Sequence, residues 1–291
     1  MQYTAVIRTL GTAGEKYRTL LESLVRQTIR PSAIIVYIAE GYPLPSEAIG
    51  MEQYVYVKKG MLAQRALKYD EVHTEYILFL DDDLFLPVDF MEKMSMHLDE
   101  QKADIISPDI FPNSERAFKQ RLMMAISGRM RARYHDMKWG YKVMRTAGYS
   151  YNLNPTRETY QSQTNAGACF LCRKADFLKI HLEHESWLDR QEYSIGDDQV
   201  TFYKMYKEGL RVLTLYHSGI RHLDAGQNLT AKKEKALIHA DFVFKTIFWH
   251  RFIYLPEKSA LTRMIDILCI GYAFSFALAI SLVKGRMDIF R

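Results

Sequence analysis

Cysteine is scarce in this chain. Its 291 residues hold three, Cys169, Cys172 and Cys269. An odd count with no second Cys pair excludes a disulfide framework and fits a reducing compartment. Cys169 and Cys172 have CxxC spacing (CFLC), but without a partner pair they read as buried strand cysteines rather than a metal or redox site. The opening stretch, MQYTAVIRTLG, lacks both a basic region and a long apolar core, so it reads as a first core strand and not as a signal peptide. Internal repeats and low-complexity segments are absent. No recognised nucleic-acid module accompanies the net charge of +5, and two acidic clusters oppose a phosphate backbone, so nucleic acid is not an expected partner.

What is present is ordinary globular composition, 48% hydrophobic and 25% charged, with enough apolar mass for a sizeable core. The first half alternates strand and helix. Apolar or β-branched runs at 4–10, 33–40, 54–57, 75–81 and 103–108 read as strands. Between them, 14–27 places Tyr17, Leu20, Leu21, Leu24 and Val25 on one helical face, 61–70 has helical propensity, and 87–101 opens with a proline, as helices do. Repeated units of this size predict an α/β fold, a Rossmann-like and mostly parallel central sheet with helices on both faces. Later, 166–178 reads as a strand then a short helix, 197–209 as a helix closed by Gly209, and 210–217 as a strand.

The segment 113–150 breaks the pattern. It carries nine basic residues, Arg116 to Arg145, against Glu115 and Asp136, and reads as helix plus loop. It is either a solvated basic face or a surface for a phosphate-bearing substrate or anionic headgroups. Residues 264–283 are almost uniformly apolar, with Asp266 the only charge and basic residues on both sides. As a helix the run is about 30 Å long, enough to span a bilayer. The expected division is a catalytic domain at 1–230 and a helical region at 231–291 whose segment 264–283 associates with a membrane. A buried core helix is the plainer reading.

Two acidic clusters carry the chemistry. YILFLDDDLFLP places Asp81, Asp82 and Asp83 at the end of an apolar strand, where ligands bind in parallel sheets. Carboxylates at i and i+2 there suit a hard cation, Mg²⁺ or Mn²⁺, bridging to phosphates. SIGDDQVTF opens a helix with Asp197 and Asp198. Helix capping accounts for one of them; a general base for a hydroxyl accounts for the other. HSGIRHLDAG adds His217 and His222, one of which is a candidate metal ligand.

The order of these parts resembles the family 2 inverting glycosyltransferases, over roughly residues 3–225. The segment Ser23-Leu24-Val25-Arg26-Gln27-Thr28 is similar to that family's "S-L-x-x-Q-T" helix end. LDDDLFLP looks like its metal-binding DxD, and IGDDQVTFYKMYKEGLRV like its "E/D-D" helix. The resemblance implies a GT-A fold and transfer of a single sugar, with inversion, from a nucleotide-sugar, above all a UDP-sugar. The acceptor would be a hydroxyl of a glycan or lipid-linked saccharide, in cell-surface polysaccharide or glycolipid synthesis at the cytoplasmic side of the cell membrane. It also implies roles. Thr9, Leu10, Glu40, Gln64, Arg65, Asp81 and Asp82 would contact the donor, and Asp83 with His222, by its distance from Gly209, would hold Mn²⁺ or Mg²⁺. Asp198 would be the base and Asp197 a sugar contact. The first strand ends RTLG where many members carry a Thr-Tyr-Asn-Arg-like run, and the Q-x-x-R-W motif of processive synthases is missing. Two alternatives stand beside this reading. One is a haloacid-dehalogenase-type phosphatase with Asp81 as nucleophile and Asp83 as acid/base. The other is a non-catalytic nucleotide-sugar-binding protein of the same fold.

Overall fold

The computed structural model describes residues 1–111, 116–146, 148–190, 196–223 and 259–283. Its centre is an eight-stranded sheet. The strands are β1 (Tyr3–Thr9), β2 (Ala33–Ala39), β3 (Glu52–Val57), β4 (Tyr76–Asp81), β6 (Ile105–Pro108), β10 (Thr159–Gln161), β11 (Cys169–Arg173) and β12 (Val212–Leu215). Their order is β10-β12-β6-β11-β4-β1-β2-β3. Strands β3, β2, β1 and β4 are parallel, whereas β11 runs antiparallel to both β4 and β6. Continuous apolar runs such as AIIVYIA are what a strand covered on both faces requires.

Helices α1 (Glu15–Val25) and α2 (Phe90–Glu100) bury Leu20, Leu21, Leu24, Met91 and Met94 against one face. The other face is covered by α4 (Lys174–Lys179), α5 (Asp197–Lys207) and the 3₁₀ segment Leu182–Arg190, around a core of Phe79, Phe170, Phe177 and Phe202. Phe79 and Phe170 stack with ring centres 4.4 Å apart. Cys169 belongs to the first core and Cys172 to the second. Three residues apart on a strand, they point to opposite faces, so they share neither a disulfide nor a metal.

Two expectations are corrected. Residues 61–70 do not form a helix. They make one short helical turn, with Gln64 N–H to Gly60 O at 2.9 Å and Ala66 N–H to Leu62 O at 2.7 Å, and the Asp189 carboxylate caps its start through the N–H groups of Leu62 and Ala63 at 2.9 and 2.7 Å. Tyr69, at φ +57°, then ends any helical path. The basic segment is not only helix plus loop. After α3 (Phe118–Ile126) it builds a small sheet, β7 (Met130–Arg133), β9 (Tyr149–Asn152) and β8 (Tyr141–Val143), around Met130, Tyr141 and Tyr151. This sheet borders a cavity of about 670 Å³ lined by Arg131, Arg133 and His135 among others.

The boundary expected near residue 230 lies outside the described residues. The C-terminal apolar run does form a helix, α6 (Ala260–Val283). Among the described residues no helix is long and apolar enough to cross a membrane. One face of α6 packs on the body: Asp266 and Ile270 are buried, and Arg145 donates to Asp266 at 3.1 Å.

Candidate active site

Strand β4 delivers the aspartate triplet. Its apolar run ends at Asp81, and a tight turn leads into β5 (Leu84–Phe85). Strand β5 pairs with β13 (Arg221–His222), setting His222 opposite Leu84. The His222 Nε2 therefore lies 3.4 Å from Asp83 Oδ1, and Asp83 is only 9% exposed. His217 is exposed and beyond β12, so of the two histidines His222 is the one brought to the aspartates.

The second acidic cluster arrives from across the sheet. Gly196, at φ +89°, turns the chain into α5, whose first residues are Asp197 and Asp198. Both carboxylates turn to arginines. Arg65 Nη1 lies 2.8 Å from Asp198 and 3.2 Å from Asp197, and its Nη2 donates to Gly167 O at 2.8 Å. Arg8 Nε donates to Asp81 at 2.6 Å, and its Nη1 is 3.6 Å from Asp197. The two arginines thus join the triplet to the helix pair in one cluster. Gln64 is fixed beside it, donating to Thr9 O at 3.0 Å and Tyr37 O at 3.2 Å. The Thr9 hydroxyl donates to Asp82.

Burial and charge set the electrostatics. Desolvation alone would raise the Asp81 carboxyl, but the adjacent Arg8 brings it below its ordinary value. Asp82 is pushed up to about 6 by burial and by Asp81 and Asp83, against the Thr9 hydrogen bond. Asp197 is pushed up to about 7, first by burial and then by Asp198, with Arg65 and Arg8 opposing. Asp198 remains open: its side chain is 37% exposed against 4% for Asp197.

Gly167 explains the small residues of TNAGACFLC. A Cβ there would lie 2.0 Å from Asp198 Oδ1 and 2.7 Å from Arg65 Nη1. Thr9, Gln64, Arg65, Asp81, Asp82, Asp83, Asp197, Asp198 and His222 are brought together at or beside this cluster. Leu10 and Glu40 stand exposed one residue beyond β1 and β2, and neither joins the arginine network. Arg8 was not among the expected residues. Its signal was a lone charge inside the buried strand TAVIRTL.

The donor set at Asp83 and His222, a carboxylate oxygen and an imidazole nitrogen side by side, fits a divalent ion such as Mn²⁺. The pair Asp197–Asp198 sets one buried carboxyl beside one open to an incoming hydroxyl. A carboxylate-rich wall holding cations and facing an open carboxylate suits transfer to a hydroxyl from a phosphate-bearing leaving group.

Residues 57–180 match the family model described as Glycosyl transferase family 2. The match takes in Arg65 and the aspartate triplet and stops short of Asp197, Asp198 and His222. Among curated protein sequences nothing matches. Similar solved structures include S. aureus TarS 1-349 in complex with UDP-GlcNAc, at 13% identity and a TM-score of 0.53, covering 95% of this chain and 73% of that one. GalNAc-T7 with UDP, GalNAc and Mn²⁺ is similar at 12% identity and a TM-score of 0.56, covering 98% of this chain and 57% of that one. At such identities the likeness concerns the fold.

Proposed function

From the premise that this chain belongs to glycosyl transferase family 2, has the GT-A fold and is a glycosyltransferase, we propose that it transfers one sugar from a UDP-sugar to an acceptor hydroxyl with inversion. The observation that carries the reading is the arginine-bridged joining of the two acidic clusters, with Asp198 left open at its edge.

Asp198 accepts the proton of the acceptor hydroxyl as that oxygen attacks the anomeric carbon from the side opposite the leaving diphosphate. One displacement of this kind inverts the centre. Asp197, buried between Arg8 and Arg65, anchors the start of α5 and so aims Asp198. Arg65 and Arg8 supply positive charge where the diphosphate departs, and Asp81, Asp82, Thr9, Leu10 and Glu40 face the nucleoside. Asp83 and His222 would hold Mn²⁺ or Mg²⁺, which when bound neutralises the charge developing on the diphosphate. The molecules bound in the similar structures, UDP-GlcNAc in one and UDP, GalNAc and Mn²⁺ in the other, support a UDP-sugar here, hexosyl or N-acetylhexosaminyl. The acceptor is a glycan or a lipid-linked saccharide in cell-surface polysaccharide or glycolipid synthesis. We place the enzyme at the cytoplasmic side of the cell membrane, on the strength of the apolar run at 264–283. In this reading residues 1–230 are the catalytic domain and 231–291 a helical region whose segment 264–283 associates with the membrane.

Thermal unfolding with UDP and Mn²⁺ tests the donor site. Binding to the native state at a hundredfold excess over Kd adds about 2.7 kcal/mol, so the melting point rises with UDP plus Mn²⁺ and not with UDP plus EDTA. No rise with any nucleoside diphosphate would overturn the reading. Asp198→Asn should keep that rise while turnover falls about 10²–10⁴-fold. Normal turnover would move the base elsewhere.

A further inference from the structure

Helix α3 buries none of its residues. Phe118, Leu122, Met123 and Ile126 are 69, 46, 41 and 41% exposed, and their spacing puts them on one side. Helix α6 has two faces. Asp266, Ile270 and Ala273 look inward, to Arg145 and Gly128. Leu261, Met264, Ile265, Leu268 and Tyr272, spaced for the opposite side, are exposed. The helices meet where the Tyr272 hydroxyl donates to Ile126 O at 2.7 Å. Both residues are exposed there, so the two apolar faces are continuous.

Charge says what covers them. From Arg116 through Arg131 the chain has five Lys or Arg and no Asp or Glu. A solvated protein rarely exposes so many large apolar side chains together, and a protein partner does not call for that single-sign border. Apolar side chains set among basic ones are what the boundary of an anionic bilayer accepts.

We propose that α3 and α6 form one platform that lies in the plane of an anionic membrane. It rests on the membrane reading above and changes its form. Because Asp266 and Ile270 pack on the body, lipid cannot surround that half of α6. The helix seats on the surface with its outer side, and α3, far away in sequence, supplies the other half of the contact.

The test is flotation of the full chain with vesicles of neutral phosphatidylcholine, alone or with 30% phosphatidylglycerol. Anionic vesicles should bind at least about 10-fold more tightly, with the difference shrinking in high salt. Phe118→Ser with Leu122→Ser, in α3 alone, should weaken binding about 10-fold. So should Leu261→Ser with Leu268→Ser in α6. Lys119→Glu should weaken binding to anionic vesicles only, and it keeps the test sound if an apolar variant fails to fold. Equal binding by the α3 variants and the parent would overturn the platform, as would no vesicle binding at all. A dimer in light scattering that the same variants turn into monomer would assign the faces to a second copy instead. The UDP–Mn²⁺ melting shift is read on every variant. A platform without that shift would sink the donor reading and leave the docking; the shift without vesicle binding would do the reverse.

Discussion

Arg65 is 2% exposed and holds two carboxylates at once. A buried charge without its partner is costly, so Arg65→Ala should lower unfolding free energy by about 3–5 kcal/mol in a denaturant melt. Asp197 makes the complementary prediction. Burial and Asp198 lift its carboxyl from 3.8 to about 7 in the folded state. Between those values the folded protein keeps a proton that the unfolded chain has released. The resulting stability is complete at pH values below 3.8 and is lost as pH rises through about 7. Asp197→Asn should flatten the fall in stability between pH 4 and pH 7. A melt series with the parent's slope would contradict the burial account. The two acidic clusters were legible as candidates because three aspartates at the end of an apolar strand, and a second aspartate at a helix start where capping needs one, have no structural use of their own. Arg8 was not, since a single charge in a strand has no periodic signature. Nor was the bridge from Asp81 to Asp197, because only the folded sheet brings them together.

Elements were legible where the pattern was long. Helices α1, α2 and α5 and the central strands other than β10 follow apolar periods of 3.6 or apolar and alternating runs, whereas β10, the three residues TYQ, gives no such signal. The segment 61–70 has helical propensity but keeps one turn, because Tyr69, at φ +57°, is held edge-on against Tyr37, Phe79 and Phe177, a contact made by residues far off in sequence. The small sheet was hidden for another reason. Strands β7, β8 and β9 are three or four residues long, and their exposed positions are basic, so the alternation is too short to register. Strand β11 gives a sharper prediction. Its lead-in passes Asp198 at Gly167, and Gly167→Ala should displace the carboxylate. Turnover should fall about 10²-fold, as a displacement near 1 Å does, while the UDP–Mn²⁺ melting shift persists.

At the scale of the molecule, the catalytic sheet and the α3–α6 end are joined through the basic segment. The latch is Arg145, half exposed, on the fully buried Asp266. Arg145→Ala removes one partner of a buried carboxylate. Charged hydrogen bonds contribute about 1.5–3 kcal/mol, so amide exchange in residues 260–272 should quicken about 10-fold, with residues 76–81 unchanged. Exchange rising equally in both would mean that the latch supports the whole fold rather than one helix.

The pairing of β13 with β5 also has a meaning in time. Asp83 emerges from the ribosome long before His222, and at 5–20 residues per second the gap is on the order of ten seconds. During synthesis, strands β1 to β4 can assemble while the acidic cluster still lacks the strand that brings His222 to Asp83. The Asp83–His222 pair is therefore completed only when almost all of the described body has been made.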